Sequence, residues 1–390
     1  MSEKLSLAAK AGLVYLLLVI GGILPIADGD SMKTAAKCTL LTGFVFMLVR
    51  GALRRQALQP ILLFVVAGGA LMSMGLYRAV DMSFAIEKID GAILCTAALV
   101  IVVHAAFEDH GARRVQAMFL GFALLVLGLT LAYKAHFGFF DRQTRFFLNG
   151  PIVYGWLMGL CALLALHLWN TERATRWLCL FPVFVAAMAW TESKGAAIAW
   201  AAASSFYVVA ALRRSLWTTL ATGTLIVIAY ACWQHELIEL FQDSRYAAVA
   251  RLIAGELTDV DDSSVGIRAA LAQRAFEQFL DQPLFGIGLA RFSFDGLVYP
   301  HNQHLEIFTE LGLFAGMAHA LFVLAALLRA SKFNRAVIVF VAVASSFSGD
   351  ASYLRFLYGA CLLAFLPRGN KSPTRSVSPA PRASTTKAFT

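Results

Sequence analysis

The sequence predicts an all-α polytopic membrane protein, with about twelve transmembrane helices and one large, partly helical loop on the outer side. The 390 residues are 59% hydrophobic and only 15% charged, with a mean hydropathy of +0.69, which is too apolar for a soluble domain of this length. Apolar runs of roughly 17 to 25 residues, each able to cross about 30 Å of hydrocarbon as a helix, recur along the chain. They are continuously apolar, whereas the strands of a barrel would alternate with period two.

Taken in order, the first runs cover residues 11–27, 36–50, 57–77, 91–107 and 115–133. The first has no small-residue cleavage site close behind it, and Pro25, Asp28 and Asp30 read as an ordinary turn, so it is expected as a retained helix and not a signal peptide. Residues 151–169, 177–191, 195–212 and 216–234 follow, completing nine spans within 1–234. After the long connection 235–303, three more runs at 304–328, 336–349 and 352–367 make the last three spans, within 304–367. The tail, 368–390, is rich in Ser, Pro, Thr and Lys and is expected to be disordered.

Charge sets the orientation. With the N-terminus inside, the inner connections hold nineteen of the 33 Lys and Arg, including Arg54 with Arg55, Arg113 with Arg114 and Arg213 with Arg214, but only four of the 24 acids. This is a strong positive-inside pattern with both termini on the cytoplasmic side. The net charge of +9 follows from topology and requires no nucleic-acid partner. Cys38, Cys95, Cys161, Cys179, Cys232 and Cys361 all fall in or beside apolar runs without a C-x-x-C pair, and are expected as small core hydrophobes.

The long connection is the place to look for function. In it "HELIELFQDSRYAAVARLIAGEL" carries apolar residues at helical spacing, and "GIRAALAQRAFEQFL" sets Ile267, Leu271, Ala275 and Phe279 four apart. Asp281 and Pro283 end the second helix, and the glycines of "LFGIGLARF" mark a tight path back toward the membrane. The outer side should be poor in cations, yet it holds Arg142 and Arg145 in "AHFGFFDRQTRFFLNGP", Lys194 in "TESKG", Arg268 and Arg291 in the long connection, and Arg355 in the last run. Some can be solvated loop charge paired with acids such as Asp141 or Glu192. Lys194 and Arg355, at the edge of membrane helices, are expected to face a cavity or a partner.

The run at 304–328 is preceded by Pro300, His301 and Asn302, with His304, Glu306 and Glu310 in its first turns. Pro300 suits a helix start and Asn302 a cap. His301 then stands at a helix N-terminus, where an anion is favoured, and imidazole is suited to take a proton from a hydroxyl. Glu306 and Glu310, four apart, can share a face and pair with outer arginines. Two other uses of the same residues stay open: an interfacial histidine at the headgroups, or a loose H-x-x-H metal pair, although no H-E-x-x-H is present.

"SVGIRAALAQRAFEQFLDQPLFGIGLARF" followed by "HNQHLEIFTELGLFAG" resembles the signature region of the bacterial O-antigen ligase and polymerase superfamily, which includes protein O-oligosaccharyltransferases. The matching positions are Arg268, Pro283 to Gly288, His301 with Asn302, Gly312 and Ala315, the last where the family often has Gly. "RQTRFFLNGP" and "TESKG" resemble two further segments, with Lys194 replacing an Arg. The resemblance implies glycosyl transfer in the bacterial inner membrane, at a site facing the periplasm, with 235–303 as a periplasmic loop domain. The implied donor is a glycan on undecaprenyl diphosphate and, for the ligase subgroup, the acceptor is a sugar hydroxyl of the lipid A-core oligosaccharide. His301 is then the expected base, Arg145 and Arg268 the leading diphosphate ligands with Arg142, Lys194 and Arg291 beside them, and Asn302, His304 and Glu306 supporting groups. No cofactor and no metal are expected, because fixed cations can stabilise a diphosphate leaving group, and "DVD" at 259–261 reads as a solvated acidic turn. A polymerase would use the same donor. A transporter would show two related halves and midplane helix breaks, and no such halves are visible.

Overall fold

A computed structural model describes residues 55–139, 146, 150–212 and 264–367. The expected runs at 11–27, 36–50 and 216–234, the stretch 235–257, the turn at 259–261, Arg142, Arg145 and the tail lie outside the described residues. Within them all regular structure is helical, the one β feature being an isolated bridge between Phe294 and Leu297. The helices, numbered in chain order, are α1 (Arg55–Ser73), α2 (Met82–Ile89), α3 (Cys95–His110), α4 (Ala112–Phe137), α5 (Pro151–Glu172), α6 (Thr175–Trp190), α7 (Lys194–Leu212), α8 (Ser264–Asp281), α9 (Gln303–Arg329), α10 (Lys332–Ser345) and α11 (Leu354–Leu363).

Local chemistry explains most boundaries. Pro151 opens α5 where its missing N–H costs nothing. Asp81 caps α2 by accepting from Phe84 N at 2.9 Å, and Ser331 caps α10 from Asn334 N at 3.3 Å. That cap starts α10 four residues before the expected run at 336–349, and the chain then turns at Gly349, with φ 82°. A turn of π-helix, Asp90–Leu94, joins α2 to α3. The α2 segment, which falls between the expected runs at 57–77 and 91–107, is helical.

Among the described residues, five stretches have the length and apolar composition to cross a membrane: Ala57–Arg78, Met82–Glu108, Ala112–Phe137, Pro151–Glu172 and Gln303–Arg329. The main core lies among α4 to α7 and α9 to α11, with Tyr154, Met158, Phe184 and Phe340 fully buried. A second cluster joins α1, α3 and α11 through Ile61, Val100, Ile101 and Leu362. Leucines such as Leu63, Leu125, Leu321 and Leu328 are exposed on the outside of the bundle, as expected of a membrane protein whose surroundings are hydrocarbon. Of the cysteines, Cys161 and Cys361 are buried as expected, Cys95 is half-buried, and Cys179 departs from the expectation by lying exposed on α6.

Helix α9 departs most from expectation. The run 304–328 reads as one unbroken helix, but Gly312 has φ 78° and ψ −171°. His304 and His319 touch at 2.8 Å, whereas fifteen residues of straight helix would separate them by about 22 Å. Limb 303–311 therefore folds back against limb 313–329. Gly316 lies against the Phe308 ring, leaving no room for a β-carbon.

The glycine-bearing segment 283–289 clasps this bend. Ile287 N donates to Thr309 O and Gly288 N to Glu310 O, both at 2.9 Å, and Leu313 N donates to Pro283 O at 2.7 Å. The first two bonds satisfy carbonyls, and the third an N–H, that the broken helix leaves open. Gly286, with φ 69°, would place a β-carbon 2.5 Å from the Glu310 carbonyl, and one on Gly312 would meet the Leu284 carbonyl. The clasp is itself tied to the 3-10 turn Met74–Arg78 that follows α1: Leu289 N donates to Gly75 O at 3.0 Å. Arg78 Nη1 donates to the Gln282 side chain and to Gly286 O. On α8, Leu271 and Ala275 are buried against this loop as their spacing predicts, and Phe279 meets Phe308 edge-on at 5.9 Å. Ile267, expected on the same face, is instead exposed.

Gly312→Ala should destabilise the protein by about 1–3 kcal/mol, because it combines a left-handed backbone with a backbone clash. Gly121→Ala, in open space on α4, should be neutral or slightly stabilising. Thermal unfolding of both variants in the same detergent checks the contrast; equal midpoints would contradict the bend.

Candidate active site

The clasped bend brings the turn Pro300–His301–Asn302 to the start of limb 303–311. Asn302 takes extended backbone angles and its Oδ1 accepts from Leu305 N at 3.0 Å, the cap its position predicts. His301 is held at φ 54°, a conformation that costs a non-glycine residue energy and persists where the surroundings over-determine it. Its ring is half-buried and packs on Tyr299 at 4.4 Å between centroids. Nδ1 is buried without a hydrogen-bond partner, so the open edge of the ring is the Nε2 side.

Burial lowers the imidazole's affinity for protons, the Arg268 guanidinium lowers it further, and Asp350 partly offsets them. His301 is accordingly a neutral imidazole at pH 7, the form that can act as a base. The Tyr299 phenol is raised above its ordinary value, first by burial and then by Asp350, Tyr353 and Glu306.

Two of the expected anion ligands converge here. Arg268, on the first turns of α8, lies within electrostatic reach of both His301 and Lys194. Lys194 is placed by the turn before it. The Thr191 hydroxyl donates to Met188 O at 2.7 Å and accepts from Ser193 N at 3.3 Å, Glu192 takes φ 51°, and α7 begins at Lys194. Gly195 then packs on Phe347 of the α10–α11 turn. Arg291 is exposed and makes no ion pair among the described residues. Arg142 and Arg145 lie outside them.

The supporting residues have other partners than expected. Among the described residues, Glu306 and Glu310 pair with a lysine and not with an arginine. Both reach Lys88 at the end of α2, Glu306 Oε1 at 2.6 Å and Glu310 at 2.7 and 2.8 Å. All three side chains are essentially fully buried, and an ammonium can answer two carboxylates there where a bulkier guanidinium would need more room. Geometry separates the two carboxylates: Lys88 donates proper hydrogen bonds to Glu310, while the close Glu306 oxygens lie off the hydrogen-bond line. Lys88 also sits 4.7 Å from the Phe84 ring. His304 is turned away from His301, toward His319 and Ala342 O, so the two histidines of H-x-x-H do not form a metal pair. Among the described residues no group of three His, Cys, Asp or Glu is placed to hold a metal ion.

Two cations, Lys88 and Lys134, were missed in the sequence, while Arg355 meets partners as expected. Lys88 has the visible signal of a lone lysine in "SFAIEKIDG" beside an E-x-x-x-E pair elsewhere. Lys134 is fully buried at the end of α4, its ammonium 4.1 Å from the Phe146 ring and 5.4 Å from that of Trp190. Arg355 lies over Tyr353 and Phe356 and donates to Ser352 O at 3.0 Å, while its Nε is buried without a partner.

Residues 177–320 match the family model described as O-antigen ligase. This match supports a likeness to the O-antigen ligase family over that part of the chain. The matched range runs from the start of α6 to just beyond His319, and so takes in the Lys194 turn, Arg268, the glycine clasp, His301 and the bend of α9. Curated proteins give no match to the chain.

Lys88→Met should cost about 3–5 kcal/mol, because it leaves two buried carboxylates without their cation. The triple variant Lys88→Met, Glu306→Gln, Glu310→Gln should recover a large part of that loss. Denaturation midpoints of the two proteins test the triad; a Lys88→Met protein as stable as wild type would show that the ammonium does not hold it.

Proposed function

We propose that this protein transfers a glycan from undecaprenyl diphosphate to a sugar hydroxyl of lipid A-core oligosaccharide. The reaction would take place in the inner membrane with the site facing the periplasm, both termini in the cytoplasm, and the spans 1–234 and 304–367 enclosing the loop domain 235–303. The observation that carries this reading is the placement of a neutral, half-buried His301 beside Arg268, which in turn lies within reach of Lys194. A base and two fixed cations side by side match a hydroxyl nucleophile and a diphosphate leaving group.

In the proposed reaction His301 Nε2 takes the proton of the acceptor hydroxyl as its oxygen forms the new bond to the anomeric carbon. The anomeric C–O bond to the diphosphate breaks, and undecaprenyl diphosphate leaves with the electron pair. Arg268 and Lys194, together with Arg142, Arg145 and Arg291 as further ligands, stabilise the growing negative charge. Arg268 can engage two phosphate oxygens at once, while Lys194 supplies a point charge. Attack opposite the diphosphate inverts the anomeric configuration. The fixed cations make a metal unnecessary, and activity should survive EDTA. A polymerase or protein O-oligosaccharyltransferase would share every step except the acceptor.

The deciding experiment combines purified protein, lipid-linked glycan and lipid A-core and asks which acceptor gains mass. His301→Ala should lose transfer by about 10²-fold or more, in line with a general base, yet keep donor affinity, whereas Arg268→Ala should weaken donor binding as well. His301→Ala transferring at near wild-type rate would sink the base assignment. Labelling in intact spheroplasts should modify a cysteine placed at Ser264 and spare one at Ser376.

The pH profile gives a separate check. His301 acts deprotonated, so the single-turnover rate should rise with pH through the folded-state pKa, which lies below the ordinary histidine value. Removing a lowering influence with Arg268→Gln should move this acid limb to higher pH, and removing a raising one with Asp350→Asn should move it lower. Saturating donor, whose diphosphate offsets the Arg268 charge, should move it upward. An acid limb that ignores all three changes would mean another group titrates.

A further inference from the structure

Four groups on four helical segments are joined in one buried line. The Tyr358 hydroxyl on α11 lies 2.9 Å from His319 Nδ1, His319 Nε2 lies 2.8 Å from His304 Nδ1, and His304 Nε2 lies 2.8 Å from the Ala342 carbonyl of α10. A carbonyl can only accept, so His304 Nε2 carries the hydrogen. A neutral imidazole has one N–H, which makes His304 Nδ1 an acceptor and His319 Nε2 its donor. His319 Nδ1 must then accept, and the Tyr358 O–H donates to it. One direction satisfies every atom, and the reverse direction would set the His304 Nε2 lone pair against the carbonyl oxygen. The Phe64 and Phe322 rings meet Tyr358 near edge-on at 5.6 and 5.8 Å and hold it in place.

Both ring nitrogens of His304 are occupied, so it has no lone pair for an acceptor hydroxyl. It nevertheless stands three residues from His301, on the short limb whose N-terminus carries the His301–Asn302 turn. His301 makes a ring contact with Tyr299 but leaves Nδ1 without a partner, so its position depends on where that limb sits. Gly312 permits the limb to fold back but, lacking a side chain, does little to hold it there. The nearby carboxylates of Glu306 and Glu310 are engaged with Lys88.

We propose that the Tyr358–His319–His304–Ala342 chain is a positioning device: it locks limb 303–311 against limb 313–329, α10 and α11, and thereby aims His301 at the acceptor hydroxyl. The proposal deepens the transferase reading and rests on it for its kinetic consequence. His304, His319 and Tyr358 are positioning residues, and His301 alone acts on the proton.

The test uses full-length protein with ¹⁵N-labelled histidine in lipid nanodiscs, wild type and Tyr358→Phe, which keeps the ring and removes the donor. In the wild type His304 and His319 should both give neutral Nε2–H imidazole signals. Tyr358→Phe should shift the His301 ring resonances, lower single-turnover transfer on the order of ten- to a hundredfold as misplaced catalytic groups do, and leave affinity for lipid-linked glycan within about twofold, since an intact cation site still binds the donor. A loss of folding alone would not produce that split. His304 found with hydrogen on Nδ1, or His301 resonances and transfer rate both unmoved by Tyr358→Phe, would overturn the proposal. If wild-type protein transfers no glycan to any acceptor, the functional reading fails by itself, and the tautomers together with the His301 shift still decide whether the chain positions that ring.

Discussion

The reversal at Gly312 is the constraint on which the rest of this structure depends. A φ of 78° is open to glycine and strained for other residues, and here it turns a 27-residue apolar stretch into two limbs that pack on each other. The reversal exposes the last carbonyls of limb 303–311 inside the protein. In a setting without water those carbonyls need donors, and the backbone N–H groups of Ile287 and Gly288 supply them. The donors can come that close only because Gly286 and Gly312 lack β-carbons. The glycines of the loop and of the bend are thus halves of one contact, which explains why they belong to one sequence signature though 26 residues separate Gly286 from Gly312.

The short limb that results is polar for its surroundings, and its polar side chains are met from several different elements. Gln303 donates to Ser348 O at 2.8 Å, His304 reaches α10 and the second limb, Thr309 donates to Ala275 O on α8 at 2.9 Å, and Glu306 and Glu310 meet Lys88 of α2. A buried ion pair adds little net stability against an apolar replacement, but breaking one side of it is costly. The same holds for the hydrogen bonds, whose loss strands a desolvated partner. The pattern therefore favours one placement of the limb over its alternatives more than it adds to the total stability, as a segment that presents His301 requires.

Much of this was legible in the sequence, and what was not has physical causes. Continuous hydrophobicity fixes helices, and Asn302, Asp281 and Pro283 mark ends, because those signals are local. His301, Arg268 and Lys194 could be picked out as cations or an imidazole where the outer side should have few. The doubling back at Gly312 was invisible because a glycine within an apolar run has the same local signal whether it continues a helix or breaks it. The partner of Glu306 and Glu310 was misassigned because a lysine more than 200 residues away leaves no local trace, and its placement depends on how α2 packs. His319 and Tyr358 sit at helical positions in apolar runs and look like ordinary membrane-helix residues until the bend brings them to His304.

Arg268 joins the two halves of the proposed chemistry. Before the donor arrives, its charge adds to burial in keeping His301 deprotonated, so the base is free but weak. A diphosphate held at Arg268 would bring negative charge to the same place and offset the guanidinium's effect on the ring. The imidazole would then hold a proton more readily once the leaving group is in position, since a nearby anion favours the charged form. The base would gain strength only when there is a donor to attack. Lys194, lying near Arg268 but not among the influences on His301, would bind the same anion without opposing the protonated ring. On this proposal Arg268, which acts on the base, would couple donor binding to proton transfer, and Lys194, which acts on Arg268, would contribute affinity.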